Sequence, residues 1–199
     1  AVELAIKKGA FNRAFKKPVK VAPDLADQVE QLLAKRILDQ LGMVKRSGDL
    51  ILGFEQVREE VRKAAPAFLI EASDGSGDQR SKVLALVRGL HTPELDETGK
   101  SAGNLELPPV VGCFLASELG MALGRDRVIH ACVKYGRIAH AWRGELERLS
   151  GFRHVWLPGW QPSSATGQKF SDDTQARVSG GNSPGTPIST ELDATEVSE

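Results

Sequence analysis

The sequence predicts an α/β protein, a three-layer α/β/α sandwich with a mixed sheet of about four strands. Three observations carry that expectation. Short apolar runs such as Leu50-Ile51-Leu52 and Phe68-Leu69-Ile70 alternate with longer segments whose apolar residues recur every three or four positions. The runs are continuously apolar, as strands covered on both faces must be. Glycine stands where a strand gives way to a helix, most clearly at Gly53.

Taken in order, residues 1–17 form a basic amphipathic pattern with Leu4, Phe11 and Phe15 available to one face. This is read as a single helix. Pro18 to Pro23 is an extended linker, because each proline disfavours helix at the residue before it. Asp24 is then a suitable N-cap. Leu25, Val29, Leu32, Leu33, Ile37, Leu41 and Val44 give the long helix that follows one apolar face. Lys45 and Arg46 lie in its last turn, where the helix dipole favours cations, and Gly48 ends it. After the strand at 50–52, a second helix opens at Gly53 with Val57, Val61 and Ala64 facing inward, and Pro66 closes it. A strand at 67–71, a turn at Ser73–Gly77 and a third helix carrying Val83, Leu84 and Val87 come next. Residues 91–105 read as a long inserted polar loop. A strand at 108–112, a short helix at 116–124, a strand at 128–133 and a last helix at 138–149 complete the domain.

From Pro158 the composition turns to Ser, Thr, Gly, Pro and acids, which cannot bury enough surface to offset chain entropy. The expected organisation is a basic helix and linker over 1–22, the α/β/α domain over 23–157 and a disordered tail over 158–199. Phe152, Val155, Trp156, Leu157 and Trp160 are expected to dock on the domain, since large exposed apolar patches are uncommon. The chain's 199 residues, 41% apolar and 26% charged, suit one domain of ordinary size.

Formal net charge is zero, but it is unevenly spread. Residues 1–48 carry ten Lys or Arg against five acids, and residues 151–199 carry three against six. A basic head and an acidic tail fit nucleic-acid contact at one end. Cys113 and Cys132 lie in apolar runs without metal-ligand spacing and are expected to be reduced core thiols. No membrane-length apolar run or signal peptide is present, so a cytoplasmic location is expected.

The most informative stretch is Leu41 to Ala72. A glycine between a buried strand and a helix lets main-chain N–H groups approach a partner closely, and the helix N-terminus favours an anion or a carbonyl-rich base edge. Gly53-Phe54-Glu55-Gln56 is that loop. The stretch resembles the kink-turn-binding ribosomal protein superfamily, whose pattern is a strand, a glycine, a variable residue, a polar pair and a basic residue one turn later. Here those places hold Gly53, Phe54, Glu55-Gln56 and Glu59. The segment Glu118-Leu119-Gly120-Met121-Ala122-Leu123-Gly124 also resembles the superfamily, where a similar short helix precedes a loop that closes over RNA. Gly120, Ala122 and Gly124 would equally let that helix lie close to the sheet. Together the two motifs extend the resemblance over residues 24–150. KKGAFNRAFKK, at 7–17, resembles the C-terminal end of the small bacterial YlxR-type nucleic-acid-binding domain.

The resemblance implies an RNA-binding protein of the bacterial cytoplasm, reading structured RNA such as kink-turn or internal-loop ribosomal RNA by shape rather than through a deep groove. Carried over, Gly53 gives close backbone approach, Gln56 an amide donor and acceptor, and Glu55 an acceptor, with Phe54 between them. Lys45, Arg46, Arg58, Arg62, Arg125 and Arg127 attract phosphates. Glu59 stands where the family has a basic residue, with Glu55 and Glu60 close by. A protein-interaction module that keeps the fold without the RNA face is the alternative, with a protein partner in place of RNA. No membrane partner is expected.

Catalysis would need a nucleophile beside a base, paired carboxylates or clustered metal ligands. No H-E-x-x-H, paired C-x-x-C, G-x-S-x-G or phosphate-loop motif is present. His91, His130, His140 and His154 are scattered, and Glu118 fits a helix first turn as well as it fits an acid or base. No enzymatic activity, cofactor or metal is expected.

Overall fold

The computed structural model describes residues 2–92 and 107–162. The expected loop at 91–105 and tail at 158–199 lie largely outside the described residues. The order of elements is α1 (Val2–Lys7), α2 (Ala10–Phe15), α3 (Leu25–Ser47), β1 (Leu50–Leu52), α4 (Phe54–Lys63), β2 (Phe68–Glu71), α5 (Gly77–His91), β3 (Val110–Val111), α6 (Ala116–Leu123), β4 (His130–Val133) and α7 (Arg137–Leu149). This is the α/β/α sandwich with a mixed four-stranded sheet that the sequence predicts.

The sheet order is β1-β4-β2-β3. β4 runs antiparallel to both β1 and β2, while β3 is parallel to β2. Because side chains alternate across a strand, register assigns each residue a layer. Cys132 pairs with Ile51 on one side and Leu69 on the other, and Leu69 pairs with Val110. These residues face α4 and α5, where Val57, Val61, Val83 and Val87 are fully buried against them. The opposite face presents Phe68, Ile70, Val111, Ala131 and Val133 to α3, α6 and α7. There Trp142 is buried, donates from Nε1 to the Ile37 carbonyl at 3.1 Å and meets the Phe68 ring edge-on.

α3 buries Ala34, Ile37, Leu41 and Val44. Leu32 does not join them and is 66% exposed. Asp24 precedes the helix but makes no side-chain cap bond; its Oδ2 accepts from Gln28 Nε2 instead. Gly48 ends α3 in the left-handed region at φ 81°, with its N–H returning to the Lys45 carbonyl. The N-terminal segment is two short helices rather than one, broken at Gly9, whose φ of 60° no helix interior accepts. Neither helix buries a residue.

The aromatic segment after α7 docks along β3. Gly112 N–H donates to the Val155 carbonyl, Leu157 N–H to that of Val110, and Val110 N–H to that of Trp160. Trp156 stacks on Phe68, and Trp160 enters the α4/α5 layer with the Arg88 guanidinium 4.7 Å from its ring centre. Trp160 thus belongs to the packed core, just beyond the boundary expected at 157. One edge of the sheet is covered, and β1 is the other edge. No helix among the described residues is long and apolar enough to cross a membrane.

Both cysteines are free thiols. Burial pushes the Cys132 thiol up to about 12 from 9.0, helped by the negative charge of Glu60. Burial also pushes Cys113 up to about 12, against the opposing pull of Arg153. A thiol whose folded value is raised stabilises the fold fully below its unfolded value and loses that contribution as pH rises through the folded one. Stability is therefore expected to fall between pH 9 and 12. Iodoacetamide at about pH 8 should modify neither cysteine in the native protein and both in urea. Rapid native alkylation would contradict the burial of Cys132 and the raised value of the half-buried Cys113.

Candidate functional site

Gly53 occupies a backbone region closed to other residues, at φ 100° and ψ 152°. Its N–H is not available to a ligand, because it donates to the His130 carbonyl at 2.9 Å. Its carbonyl accepts from Val57 and starts α4. The backbone angle rather than space demands glycine here: a Cβ would lie 2.6 Å from Gln56 Oε1, the end of a flexible exposed side chain that can move aside. The Gln56 side chain therefore folds back over the turn and remains exposed.

Gln56, Glu59, Glu60 and Lys63 recur at three- and four-residue spacing and share one face of α4. That face forms one wall of a groove of ≈ 390 Å³. The floor is Leu50, Ile51 and Leu52, and Lys45 and Arg125 line the rest. Gly53 N–H donates to the His130 carbonyl and Lys134 N–H to that of Asp49, so antiparallel alternation turns the main-chain groups of Leu50 and Leu52 away from β4, to the open edge beside the groove.

Lys45 is held by a 2.6 Å bond from Nζ to the Leu123 carbonyl, which spans α3 to the end of α6. Gly124 then turns the chain at φ 64°. Gly120 does not serve approach to the sheet, the role its place in the sequence suggests. A Cβ there would meet the Arg125 and Asp126 carbonyls at 2.6 Å, so the loop itself crosses the helix at that point. Arg46 is exposed beside Gly42.

The structure thus brings Gln56, Lys45 and Arg125 to one groove, with Gly53 in the turn between the lining residues Leu52 and Gln56, and leaves other expected contacts apart. Arg58 lies on the opposite flank of α4, pairs with Glu55 at 3.1 Å and covers the Phe54 ring at 5.2 Å. Glu55 is therefore already committed to a cation. Arg62 is exposed one turn beyond Arg58 on that flank. Arg127 pairs with Asp74 Oδ2 at 3.0 Å, while Asp74 Oδ1 accepts from the Ala116 N–H and caps α6. Glu118 Oε2 accepts from the Leu115 N–H, a local capping bond at the same helix start.

Glu59 and Glu60 add negative charge to the groove. Glu60 lies 4.0 Å from Lys63 and 3.7 Å from Lys134, which offsets its charge. Among the described residues, no group of three or more His, Cys, Asp or Glu could hold a metal ion.

No family model and no curated protein matches the chain. Among solved structures, one described as a protein with unknown function from Bacillus halodurans C aligns with a TM-score of 0.43 and 21% identity. The match covers 56% of this chain and 96% of that one.

One feature beside the turn is invisible to motif reading. His130 is buried against Glu71 and Gln79, with its ring 5.4 Å from that of Phe54. The available signal is the pairing of F-L-I-E with H-A-C-V, which places Glu71 and His130 on one face once the register is known.

Gly53→Ala is expected to cost roughly 1–3 kcal/mol in urea unfolding, because alanine is strained at this φ. Adding Gln56→Ala removes the clash but not the strain, so most of the loss should persist. Full recovery in the double variant would show that the side-chain contact, not the backbone, requires glycine.

Proposed function

We propose that the chain is an RNA-binding protein that reads bent or internally looped RNA with the groove beside β1. The observation that carries this reading is convergence. Gln56 from α4, Lys45 from the end of α3 and Arg125 from the loop after α6 are distant in sequence and share one groove, and Gly53 sets the turn onto which Gln56 folds. Gln56 offers an amide donor and acceptor, the outward main-chain groups of β1 offer more of both, and two cations flank them. Sharply bent RNA exposes unpaired base edges that suit such a surface. The resemblance of the 41–72 and 118–124 stretches to the kink-turn-binding superfamily agrees with this reading. The basic residues of α1 and α2 would add phosphate attraction.

Glu59 and Glu60 in the groove favour a second reading, in which the same surface binds a protein. Carboxylates near phosphates weaken RNA binding and lower its salt sensitivity.

Titration of a kink-turn RNA and a straight duplex at two salt concentrations tests the first reading. The bent RNA should bind more tightly. Gln56→Ala should abolish most of that preference, whereas Lys45→Ala should weaken both RNAs alike and lower the salt slope by about one. Glu59→Lys should tighten RNA binding and steepen the slope by about one. Equal, weak binding of both RNAs by the native protein would reject structure-specific recognition and leave the protein-binding reading.

A further inference from the structure

Behind the Gly53 turn lies a polar cluster that the groove does not include. Register sets Glu71 of β2 opposite His130 of β4, and the two residues are 1% and 3% exposed. His130 Nδ1 lies 2.8 Å from Glu71 Oε2, and Nε2 lies 3.2 Å from Gln79 Oε1 at the start of α5. The imidazole is thus gripped from two sides. Glu71 Oε1 has no hydrogen-bond partner among the described residues, a costly state for a buried carboxylate oxygen. One step along the same face, the corresponding pair is the apolar Leu69 and Cys132.

His130 reaches the Gly53 turn in two ways. Its carbonyl accepts the Gly53 N–H at 2.9 Å. Its ring is the platform for Phe54, at 5.4 Å between ring centres and 55° between planes. Phe54 in turn carries the Arg58 guanidinium, which is tied to Glu55. An unbroken line of contacts runs from the buried pair to the residues on either side of Gln56.

We propose that Glu71, His130 and Gln79 are positioning residues for recognition: by fixing the imidazole they set where Phe54 rests, and with it the placement of Gly53 to Gln56. The proposal rests on the RNA reading of the groove. Packing alone does not account for the cluster, since a buried polar pair, even a fully ionic one, is commonly matched or bettered by apolar side chains of similar volume. A purely structural role and a positioning role therefore make different predictions for an apolar replacement.

The test compares native protein with His130→Leu, Glu71→Gln and the double variant Glu71→Met/His130→Leu. Three quantities are read: the urea midpoint, hydrogen exchange at the Gly53 amide, and the ratio of affinities for bent and straight RNA. His130→Leu alone should lose stability, because it strands Glu71 without its partner. The double variant should recover that stability, yet exchange the Gly53 amide about tenfold faster and lose about tenfold in the RNA ratio. Glu71→Gln keeps volume and one hydrogen bond, and should show the same two changes to a smaller degree. Should the double variant not fold, Glu71→Gln alone distinguishes the two roles. Native Gly53 protection and a native RNA ratio in the stable double variant, or in Glu71→Gln where only that variant folds, would overturn the proposal. If native protein itself fails to discriminate the RNAs, the RNA reading falls. Gly53 exchange then still decides whether the cluster positions the turn.

Discussion

The register of β4 is the constraint on which the other features depend. It is the only strand with two antiparallel neighbours among the described residues, so a shift of one residue would exchange its faces toward both at once. His130 and Cys132 would then point at α3, α6 and α7, and Ala131 and Val133 at α4 and α5. The same register joins Gly53 to His130 through a main-chain bond and leaves the main-chain groups of Leu50 and Leu52 facing outward, while their side chains join the core. Groove, turn and buried pair are three results of one alignment.

Much of this is legible from residue order. The strand positions, the C-terminal end of α3 and the glycine at the start of α4 follow from local chemistry: apolar runs, a left-handed cap and a backbone region that only glycine enters. The features that are not legible depend on distant parts of the chain. Leu32 fits the apolar period of α3, yet it stays exposed, because only a fold can say which part of that face is covered. Gly120 looks like a packing residue against the sheet, and only the path of the 125–126 loop shows what crosses it. Arg58 and Arg62 stand near Gln56 in sequence but not in space. At about 100° per residue they lie roughly 160° and 120° round α4 from it, so the helical period already separates them.

The groove's charge is balanced rather than basic, and its parts are not equivalent. Glu60 is partly buried and lies between two lysines, so its field is largely spent locally. Lys45 is fixed by a carbonyl, at a point set by the ends of two helices. Glu59 faces the groove with no ion pair among the described residues. A ligand of high negative charge would gain little here from the long-range field. Shape and hydrogen bonding would have to supply most of the selectivity, for which the outward main-chain groups of β1 and the Gln56 amide are suited.

The distribution of unpaired buried polar atoms points to the same end of the sheet. Among the described residues these are Gln40 Oε1, Arg58 Nε, Glu71 Oε1, Arg80 Nε and Glu145 Oε2. Arg58 covers the Phe54 ring, Glu71 grips His130, and Arg80 donates to the carbonyl of Ala72, the residue after Glu71. Three of the five therefore gather where α4 and α5 begin. Elsewhere burial is mostly settled: Trp142 finds its carbonyl, and Glu145 receives Arg36 and Arg148 on its other oxygen. Proteins depart from full satisfaction of buried polar groups chiefly where something other than stability is being held in place. The apolar Leu69–Cys132 pair one step away shows that this face of the sheet accommodates plain packing. The polar cluster thus stands beside the turn to which the proposed reading assigns ligand recognition.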